Sequence, residues 1–346
     1  MSDPPLRIAI LSPPWFPVPP TGYGGIEAVV SLLAEGLVEG GHEVTLFASG
    51  DSRTSARLVA VFAEAPSARI GEGAVELRHA IECYTRAGQF DVIHDHSGLL
   101  ALALGGLTST PVVHTVHGPM DGDHADDYAR ICRLLPGARL ISISLNQQRL
   151  RPDLPWFANV PNAVDLDGYR LGTEKEDYLA FVGRMSADKG CHLAIEIAAA
   201  AGLPLRIAGK RREPPELEYF AEHVAPRLGP NVEYLGEIPH EAKVELLRRA
   251  RATLFPITWE EPFGLVMIES MACGTPVLAT RRGAVPEVVE HGVTGFVVDD
   301  PLELSTYVEA AAALDPASLR AHAEARFSAE RLVADHVAVY RAAVQT

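Results

Sequence analysis

Short apolar segments of strand length recur along this chain, and each is followed by a longer stretch with apolar residues at helical spacing. In the first half the expected strands are residues 7–12, 43–48, 92–94, 112–116 and 139–143. In the second half they are residues 178–182, 205–208, 231–235, 252–256, 276–279 and 295–298. Strands that alternate with helices form parallel sheets covered on both faces, so the pattern predicts an α/β fold with two doubly wound domains.

Helical spacing is clearest at residues 26–39, 191–200, 242–249, 265–273 and 329–343. The domain boundary is expected within residues 161–177, which are rich in Asp, Gly, Pro and charged residues and carry no sustained apolar period. We therefore predict an N-terminal domain of residues 1–165, a C-terminal domain of residues 166–328 and a closing segment, 329–346, that can pack back onto the first domain. The two domains are expected to face each other across a cleft that holds the ligands.

The charge balance excludes one class of partner. The 346 residues include 45 acidic and 30 basic side chains, a net charge of −15, whereas a nucleic-acid binder needs an excess of Lys and Arg. The first apolar run is too brief for a signal peptide, and no run reaches the ~18 apolar residues of a membrane-spanning helix. These features predict a soluble, cytoplasmic protein. Four widely spaced cysteines indicate neither a disulfide framework nor a thiolate zinc site.

The strongest chemical signal lies in residues 260–276, which contain Glu261 and Glu269. Pro262 and Gly264 place Glu261 in a loop and Glu269 on the inner turns of the following helix. A carboxylate that accepts two hydrogen bonds can bind a ribose diol, and the amides of residues 263–266 at the helix start suit phosphates. The alternative for Glu261 is charge stabilisation of the helix start, whereas Glu269 has apolar neighbours and needs a partner.

A second candidate is the loop that carries Arg184 and Lys189, with Gly183 and Gly190 beside them. Two cations between a strand end and a helix can neutralise a diphosphate leaving group. A solvated surface pair is the alternative, and the flanking glycines favour the diphosphate role. Residues 19–25 form a further loop between a strand and a helix and end in Gly24 and Gly25. This loop suits an approaching anion and an ordinary turn equally well.

Four histidines cluster at the ends of two expected strands: His94, His96, His114 and His117. Two-residue spacing puts the rings of His94 and His96 on one face of their strand. The sequence offers no complete set of metal ligands around them, so we expect no metal site and favour packing or hydrogen-bonding roles for His94, His96 and His114. His117, followed by Gly and Pro at a strand exit, is the histidine expected in the cleft.

Taken together, these blocks resemble the family-4 glycosyltransferases, which are retaining, sugar-nucleotide-dependent enzymes of the GT-B fold. The similarity covers nearly the whole chain. Its most specific part is the pair Glu261 and Glu269 with Phe263 and Gly264 between them, supported by residues 183–190 and by Pro161-Asn162-Ala163-Val164-Asp165. One departure is Ala163, which stands where the family pattern usually has Gly.

The resemblance implies a role for each matching residue. Arg184 and Lys189 would hold the donor diphosphate, Glu269 the ribose, and Glu261 with the backbone of residues 263–265 the transferred sugar and phosphates. His117 would contact the sugar hydroxyls near the reacting carbon. The expected catalytic residues are thus His117, Arg184, Lys189 and Glu261. Gly25, with Gly24 beside it, would approach the donor phosphate, and the loop around Leu235 and Gly236 would lie beside the nucleobase. The expected donor-binding residues are Gly24, Gly25, Gly183, Leu235, Gly236, Phe263, Gly264, Leu265 and Glu269.

The implied activity is transfer of a hexose-type sugar from a UDP- or GDP-type donor to an acceptor hydroxyl, with retention and without a metal or other cofactor. Two alternatives stay open: a GT-B-type sugar-nucleotide 2-epimerase and a non-catalytic sugar-binding protein. The lack of an export signal counts against the second of these. Residues 8–52 contain no Lys or Arg, so the opening loop and helix lack a basic face for anionic lipid, and a soluble acceptor is expected.

Overall fold

The computed structural model describes residues 4–346, and they divide into two compact units. The first unit ends at Val164 and also includes Ala329–Thr346, whereas the second spans Asp165–Ser328. The second unit is therefore continuous in sequence. The first is completed by a segment that follows the whole of the second.

A seven-stranded parallel sheet forms the centre of the first unit. Its strands are β1 (Arg7–Leu11), β2 (Glu43–Phe47), β3 (Arg57–Val59), β4 (Val92–Asp95), β5 (Val112–Val116), β6 (Leu140–Ser142) and β7 (Trp156–Asn159). Their order in the sheet is β3-β2-β1-β4-β5-β6-β7, so the direction of winding reverses between β1 and β4. Ligands of such sheets bind beyond the carboxyl ends of the strands at this reversal.

Helices complete the first unit: α1 (Gly25–Glu39), α2 (Gly73–Tyr84), α3 (Leu99–Gly105), α4 (Gly122–Leu134), α5 (Leu145–Leu150) and the closing helix (Ala329–Gln345). The closing helix packs against α1, and Gly36 permits their close approach. A Cβ atom at Gly36 would lie 2.5 Å from the side chain of Val333, which is closer than two carbon atoms can come. The closing helix is thus part of the core of the first unit.

The second unit contains a six-stranded parallel sheet. Its strands are β8 (Leu179–Val182), β9 (Leu205–Ala208), β10 (Val232–Gly236), β11 (Ala252–Phe255), β12 (Val277–Thr280) and β13 (Gly295–Val298). The order is β10-β9-β8-β11-β12-β13, so the winding reverses between β8 and β11. The loops after these two strands therefore occupy the position where a ligand is expected.

Seven helices are described in the second unit: α6 (Cys191–Ala201), α7 (Pro214–Tyr219), α8 (His240–Arg249), α9 (Leu265–Ala272), α10 (Val285–Val288), α11 (Val308–Ala312) and α12 (Pro316–Phe327). A main cluster of the core joins the sheet to α6 through fully buried side chains such as Phe181, Ile197 and Ile207. Because β8, β11 and β12 are buried along most of their length, they appear in the sequence as continuous apolar runs.

The predicted fold class is confirmed, and each of the eleven expected strands is present within one residue of its expected bounds. Two short strands, β3 and β7, were not predicted. Cys83, Cys191 and Cys273 are buried, Cys132 is partly buried, and all four are free thiols. Among residues 4–346, no helix combines the length and the apolar character that crossing a bilayer requires.

Candidate active site

The loops after β8 and β11 lie side by side at the reversal point of the second sheet. The backbone N–H of Thr258 donates to the carbonyl oxygen of Asp188 at 2.9 Å. Gly190 has a φ of +73°, and a Cβ atom there would lie 2.1 Å from the carbonyl oxygen of Pro256. Only glycine satisfies both the left-handed backbone and the close approach. This residue therefore lets the two loops touch directly beside Lys189.

Lys189 and Glu261 form an ion pair across these two loops. The Lys189 Nζ lies 2.5 Å from Glu261 Oε2, and both side chains are largely buried, with 16% and 8% of their area exposed. Trp259 adds a second bond to the same oxygen, because its Nε1–H donates to Glu261 Oε2 at 3.1 Å. The Lys189 ammonium also lies 4.6 Å from the centre of the Trp259 ring, within range of a cation–π interaction.

This arrangement gives both charged groups further binding capacity. An ammonium has three N–H donors, so Lys189 can hold Glu261 and still donate to an anion. Both bonds that Glu261 receives from Lys189 and Trp259 end on Oε2, so Oε1 retains the capacity to accept from donors such as hydroxyl groups. The sequence did not identify Trp259 as part of the site.

Arg184 lies in the same loop as Lys189 but pairs with a different carboxylate. Its guanidinium is 3.5 Å from Asp188 Oδ2, and about a third of each side chain is exposed. The start of the loop is fixed by Gly183, whose N–H donates to the carbonyl oxygen of Ala208 on β9. Arg184 is therefore a solvent-accessible cation beside the buried Lys189.

The start of α9 offers backbone amides. Gly264 precedes the helix with a φ of +85°, and none of the described side chains caps it. Such an end carries unpaired N–H groups that favour anions. The Phe263 side chain packs edge-on against Phe327, with ring centres 5.9 Å apart, and is buried. At Phe263, therefore, the backbone rather than the side chain is available to a ligand.

Glu269 lies on α9 and is 8% exposed. Its Oε1 accepts hydrogen bonds from the Tyr169 hydroxyl and the Lys243 ammonium, each at 2.7 Å. Burial alone would raise the pKa of Glu269, but the charge and the bond of Lys243 and the bond of Tyr169 outweigh it and lower the pKa below its usual value. Glu269 is thus held as a carboxylate, and the sequence indicated its need for a partner without identifying Tyr169 or Lys243.

The end of β10 lies at the carboxyl edge of the same sheet, that of the second unit. Leu235 is 37% exposed, and the carbonyl oxygen of Gly236 accepts a bond from the N–H of Gly209 at 2.9 Å. The following residue, Glu237, pairs with Arg212 at 2.7 Å. The loop after β10 therefore offers the partly exposed Leu235 side chain next to a hydrogen-bonded backbone at Gly236.

In the first unit, Gly24 and Gly25 lie where the loop after β1 meets α1. The nearest buried charge is Glu27, in the first turn of the helix and 3% exposed. Burial raises the pKa of Glu27 to about 7, although a bond to its own backbone N–H acts in the opposite direction. The sequence did not identify this buried carboxyl group.

The four histidines at the ends of β4 and β5 form two separate hydrogen-bonded lines. The rings of His94 and His96 share one face, with centres 3.8 Å apart, and His96 Nδ1 lies 2.9 Å from His117 Nε2. His114 faces away from them and bonds to Asp95 Oδ2 at 2.7 Å and to the Tyr128 hydroxyl at 2.8 Å. His117 is partly exposed, while the other three rings are buried.

Comparison with known proteins extends these observations. The family description "Glycosyltransferase Family 4" matches residues 23–166, and "Glycosyl transferases group 1" matches residues 170–324. The D-inositol 3-phosphate glycosyltransferase of Geodermatophilus obscurus is 28% identical, over 99% of this chain and 90% of that protein. AviGT4, a glycosyltransferase involved in avilamycin A biosynthesis, is 29% identical with a TM-score of 0.72, covering 99% of this chain and 98% of its own.

A more distant structure shares the fold. Anabaena HepE, solved in complex with UDP and glucose, is 20% identical with a TM-score of 0.76, covering 97% of this chain and 99% of its own. The two family descriptions follow each other along the chain and divide it near the boundary between the two compact units. Together with the two parallel sheets, these matches show that the chain belongs to the family-4 glycosyltransferases of the GT-B fold.

Proposed function

We propose that the protein transfers a hexose-type sugar from a uridine diphosphate donor to an acceptor hydroxyl, with retention of anomeric configuration and without a metal ion. The observation that carries this proposal is the Lys189–Glu261 pair at the reversal point of the second sheet. A buried cation beside a carboxylate with a free acceptor oxygen suits the two parts of a sugar nucleotide, its diphosphate and its sugar hydroxyls.

The second unit supplies the groups that a nucleotide donor requires. Lys189, Arg184 and the amides at the start of α9 would neutralise the diphosphate as it leaves, so that protein charges serve where other enzymes use a divalent ion. Glu269 would bind the ribose diol, and the Leu235–Gly236 loop would contact the nucleobase. The crystal structures of HepE with UDP and with UDP-glucose favour uridine as the base.

Retention is proposed from the resemblance to the family-4 glycosyltransferases. The Oε2 atom of Glu261 is held by Lys189 and Trp259, which disfavours attack of that oxygen on the sugar as a covalent nucleophile. We therefore favour attack of the acceptor oxygen on the face from which the diphosphate departs. The bond from the anomeric carbon to the phosphate oxygen breaks, the bond to the acceptor oxygen forms, and the acceptor proton passes to the departing diphosphate.

The first unit is assigned the acceptor and the reacting end of the sugar. Gly24 and Gly25 would approach the donor phosphate, and His117 would accept a hydrogen bond from a sugar hydroxyl. The acceptor is proposed to be soluble, because the opening loop and α1 carry no Lys or Arg for anionic lipid. D-inositol 3-phosphate is a rational first acceptor to test, since the relative from G. obscurus is named for it.

The proposal is tested first by thermal unfolding with UDP, GDP and ADP. A ligand that binds only the folded protein at one hundred times its Kd adds about 2.7 kcal/mol of stability, so UDP should raise the Tm most. UDP-glucose is then incubated with candidate acceptors, and the anomeric proton of the product is read by NMR. An α-glycoside formed equally well in EDTA supports the proposal.

Three results would contradict it. A β-glycoside would exclude retention, and loss of activity in EDTA that returns with Mg²⁺ would exclude metal independence. Conversion of UDP-glucose to a 2-epimer without any acceptor would identify an epimerase instead.

A further inference from the structure

The two oxygens of the Glu269 carboxylate have different surroundings. The Tyr169 hydroxyl and the Lys243 ammonium both donate to Oε1, each at 2.7 Å. A carboxylate oxygen has two in-plane lone pairs, so these two bonds fill Oε1. Oε2 has no hydrogen-bond partner within residues 4–346 and is not fully enclosed, and 11% of the side chain is exposed. Oε2 is therefore the oxygen left for a ligand.

The partners of Glu269 come from elements that meet at the carboxyl edge of the second sheet. Lys243 is the fourth residue of α8, which follows β10, and Glu269 is the fifth residue of α9, which follows β11. At 3.6 residues per turn, both side chains lie in the first two turns of their helices. Tyr169 lies between the boundary of the two units and β8. Three separate parts of the second unit thus converge on one carboxylate.

The position of Tyr169 is fixed from two sides. The guanidinium of Arg320, on α12, donates to the carbonyl oxygen of Tyr169 and to that of Ala272, the last residue of α9. One side chain therefore ties the backbone of Tyr169 to the helix that carries Glu269. The Tyr169 ring is 6% exposed and packs edge-on against His240, with ring centres 4.9 Å apart. A ring held in this way keeps its hydroxyl directed at Oε1.

Lys243 contributes most to the charge of Glu269. Burial raises the pKa of Glu269, but Lys243, the Tyr169 hydroxyl and His240 together lower it by more. Cys273, on α9 itself, is a further titratable neighbour of Glu269. Lys243 acts both through its positive charge and through its hydrogen bond. The ionised state of this buried carboxylate therefore depends mainly on Lys243.

We propose that Tyr169 and Lys243 are positioning residues that hold Glu269 through Oε1, so that Oε2 alone binds the ribose diol of the nucleotide. The inference rests on the proposed function, which assigns the ribose to Glu269. One carboxylate oxygen with two lone pairs accepts from both hydroxyls of a cis diol. A carboxylate that is fixed and ionised beforehand loses little side-chain freedom when the diol binds, which favours affinity.

The experiment compares two ligands that differ only in the ribose. UDP and 2′,3′-dideoxy-UDP carry the same base and diphosphate, so the ratio of their Kd values reports the diol, and titration of the phosphates cancels. Both are measured by titration calorimetry on the full-length protein. In the wild type the dideoxy ligand should bind about 10- to 100-fold more weakly, because bonds to a charged group are lost. The ratio should stay constant between about pH 8 and 6, since Glu269 remains ionised.

The variants test each positioning residue through this ratio. Lys243→Met should lower it about threefold or more at neutral pH, because Oε1 loses its cation and the pKa of Glu269 rises. In Lys243→Met the ratio should fall further as the pH is lowered, since a protonated carboxyl is a weaker acceptor. Lys243→Arg keeps a cation and N–H donors and should restore the ratio to within about twofold. Tyr169→Phe removes one bond to Oε1 and should lower the ratio about two- to threefold.

The second unit supplies a matched control for each residue. Tyr178 is 2% exposed, and its hydroxyl donates to the carbonyl oxygen of Leu246, on α8, at 2.8 Å. The ammonium of Lys175 donates to the carbonyl oxygen of Arg248, also on α8, at 2.9 Å. Neither side chain bonds to Glu269 within the described residues. Tyr178→Phe and Lys175→Met should therefore keep the wild-type ratio, even where stability changes.

A wild-type ratio near one would overturn the proposal, whether or not any variant folds. An unchanged ratio in Lys243→Met or in Tyr169→Phe would overturn the role of that residue, and an equal fall in the control variants would overturn both roles. UDP still binds in each of these cases, so sugar transfer from a UDP donor is left standing. A wild type without affinity for any nucleoside diphosphate would instead refute the proposed function, and this inference with it.

Discussion

The ammonium nitrogen of Lys189 lies 2.5 Å from Oε2 of Glu261, although 72 positions separate the two residues along the chain. Neighbouring strands β8 and β11 bring their loops together at the edge where the sheet reverses. Because both side chains are largely buried, each depends on the other for its charge to be tolerated. The same ion pair therefore bears on both ligand binding at this edge of the sheet and the stability of the edge.

Lys189→Ala tests the binding role. Loss of a charge-assisted bond to the diphosphate should weaken UDP binding by about 10- to 100-fold, measured by titration calorimetry. Arg249→Ala is the control, because it removes a cation paired with Glu176 and Glu245 elsewhere in the second unit. Unchanged UDP affinity in Lys189→Ala would contradict a role for this ammonium in holding the diphosphate.

Glu269→Gln tests the ribose role separately from the phosphate role. A neutral amide accepts hydroxyl bonds less strongly than a carboxylate, so UDP binding should weaken about tenfold. Inorganic pyrophosphate has no ribose, and its affinity should stay within twofold of the wild type. If both ligands lost affinity equally, the substitution would be acting on the whole edge of the sheet and the ribose assignment would fail.

Gly190→Ala tests the close approach of the two loops. The substituted residue would have a strained backbone at φ +73° and a Cβ atom 2.1 Å from the Pro256 carbonyl oxygen. Gly202→Ala is the matched control, since Gly202 has a φ of +68° and no atom within 4 Å of its Cβ position. We expect Gly202→Ala to cost about 1 kcal/mol of unfolding free energy and Gly190→Ala about 3 kcal/mol, measured in urea. Equal losses would show that the loops can separate at no cost.

Acid should destabilise the first unit through its buried histidines. Burial lowers the pKa of His336 to about 4 and that of His117 to about 3, below the value near 6.5 of an unfolded chain. As the pH falls below about 7 the unfolded state takes up protons first, so stability is lost by up to about 1.4 kcal/mol per pH unit for each such group. Hydrogen exchange of first-unit peptides between pH 7 and 4 measures this loss.

His336→Leu provides the check on that mechanism. The Nδ1–H of His336 donates to the carbonyl oxygen of Leu332, and its buried Nε2 has no partner in the described chain, so leucine removes one proton-binding site at little cost in packing. The pH dependence should become shallower by up to about 1.4 kcal/mol per pH unit between about pH 4 and 6.5. His223→Gln, at a partly exposed position in the second unit, should leave the slope of the first unit unchanged. An unaltered slope in His336→Leu would exclude this source of acid sensitivity.

The fold was readable from the sequence because most strands are buried on both faces and appear as uninterrupted apolar runs. β3 and β7 were missed for physical reasons. β3 has three residues, and β7 is half-buried along its whole length, so neither has a contrast in polarity that marks a strand.

The site was predictable only in part. Lys189 and Glu261 stand in loops with recognisable glycines and follow the first and fourth strands of their half, so strand adjacency can bring them together. The partners of Glu269 could not be read in this way, because Tyr169 lies 100 positions away and Lys243 lies on another helix. Local spacing reports that a buried charge needs a partner, and only the packed structure identifies it.

The closing helix has a consequence for synthesis of the chain. Tyr340 reaches the interior of the first unit from a segment that leaves the ribosome after all of Asp165–Ser328. Until that segment is made, His94 lacks its contact with Tyr340 and α1 lacks the closing helix, so the first unit is incomplete. The second unit can already fold at this stage. During translation the chain completes its domains in the reverse of the order in which they begin.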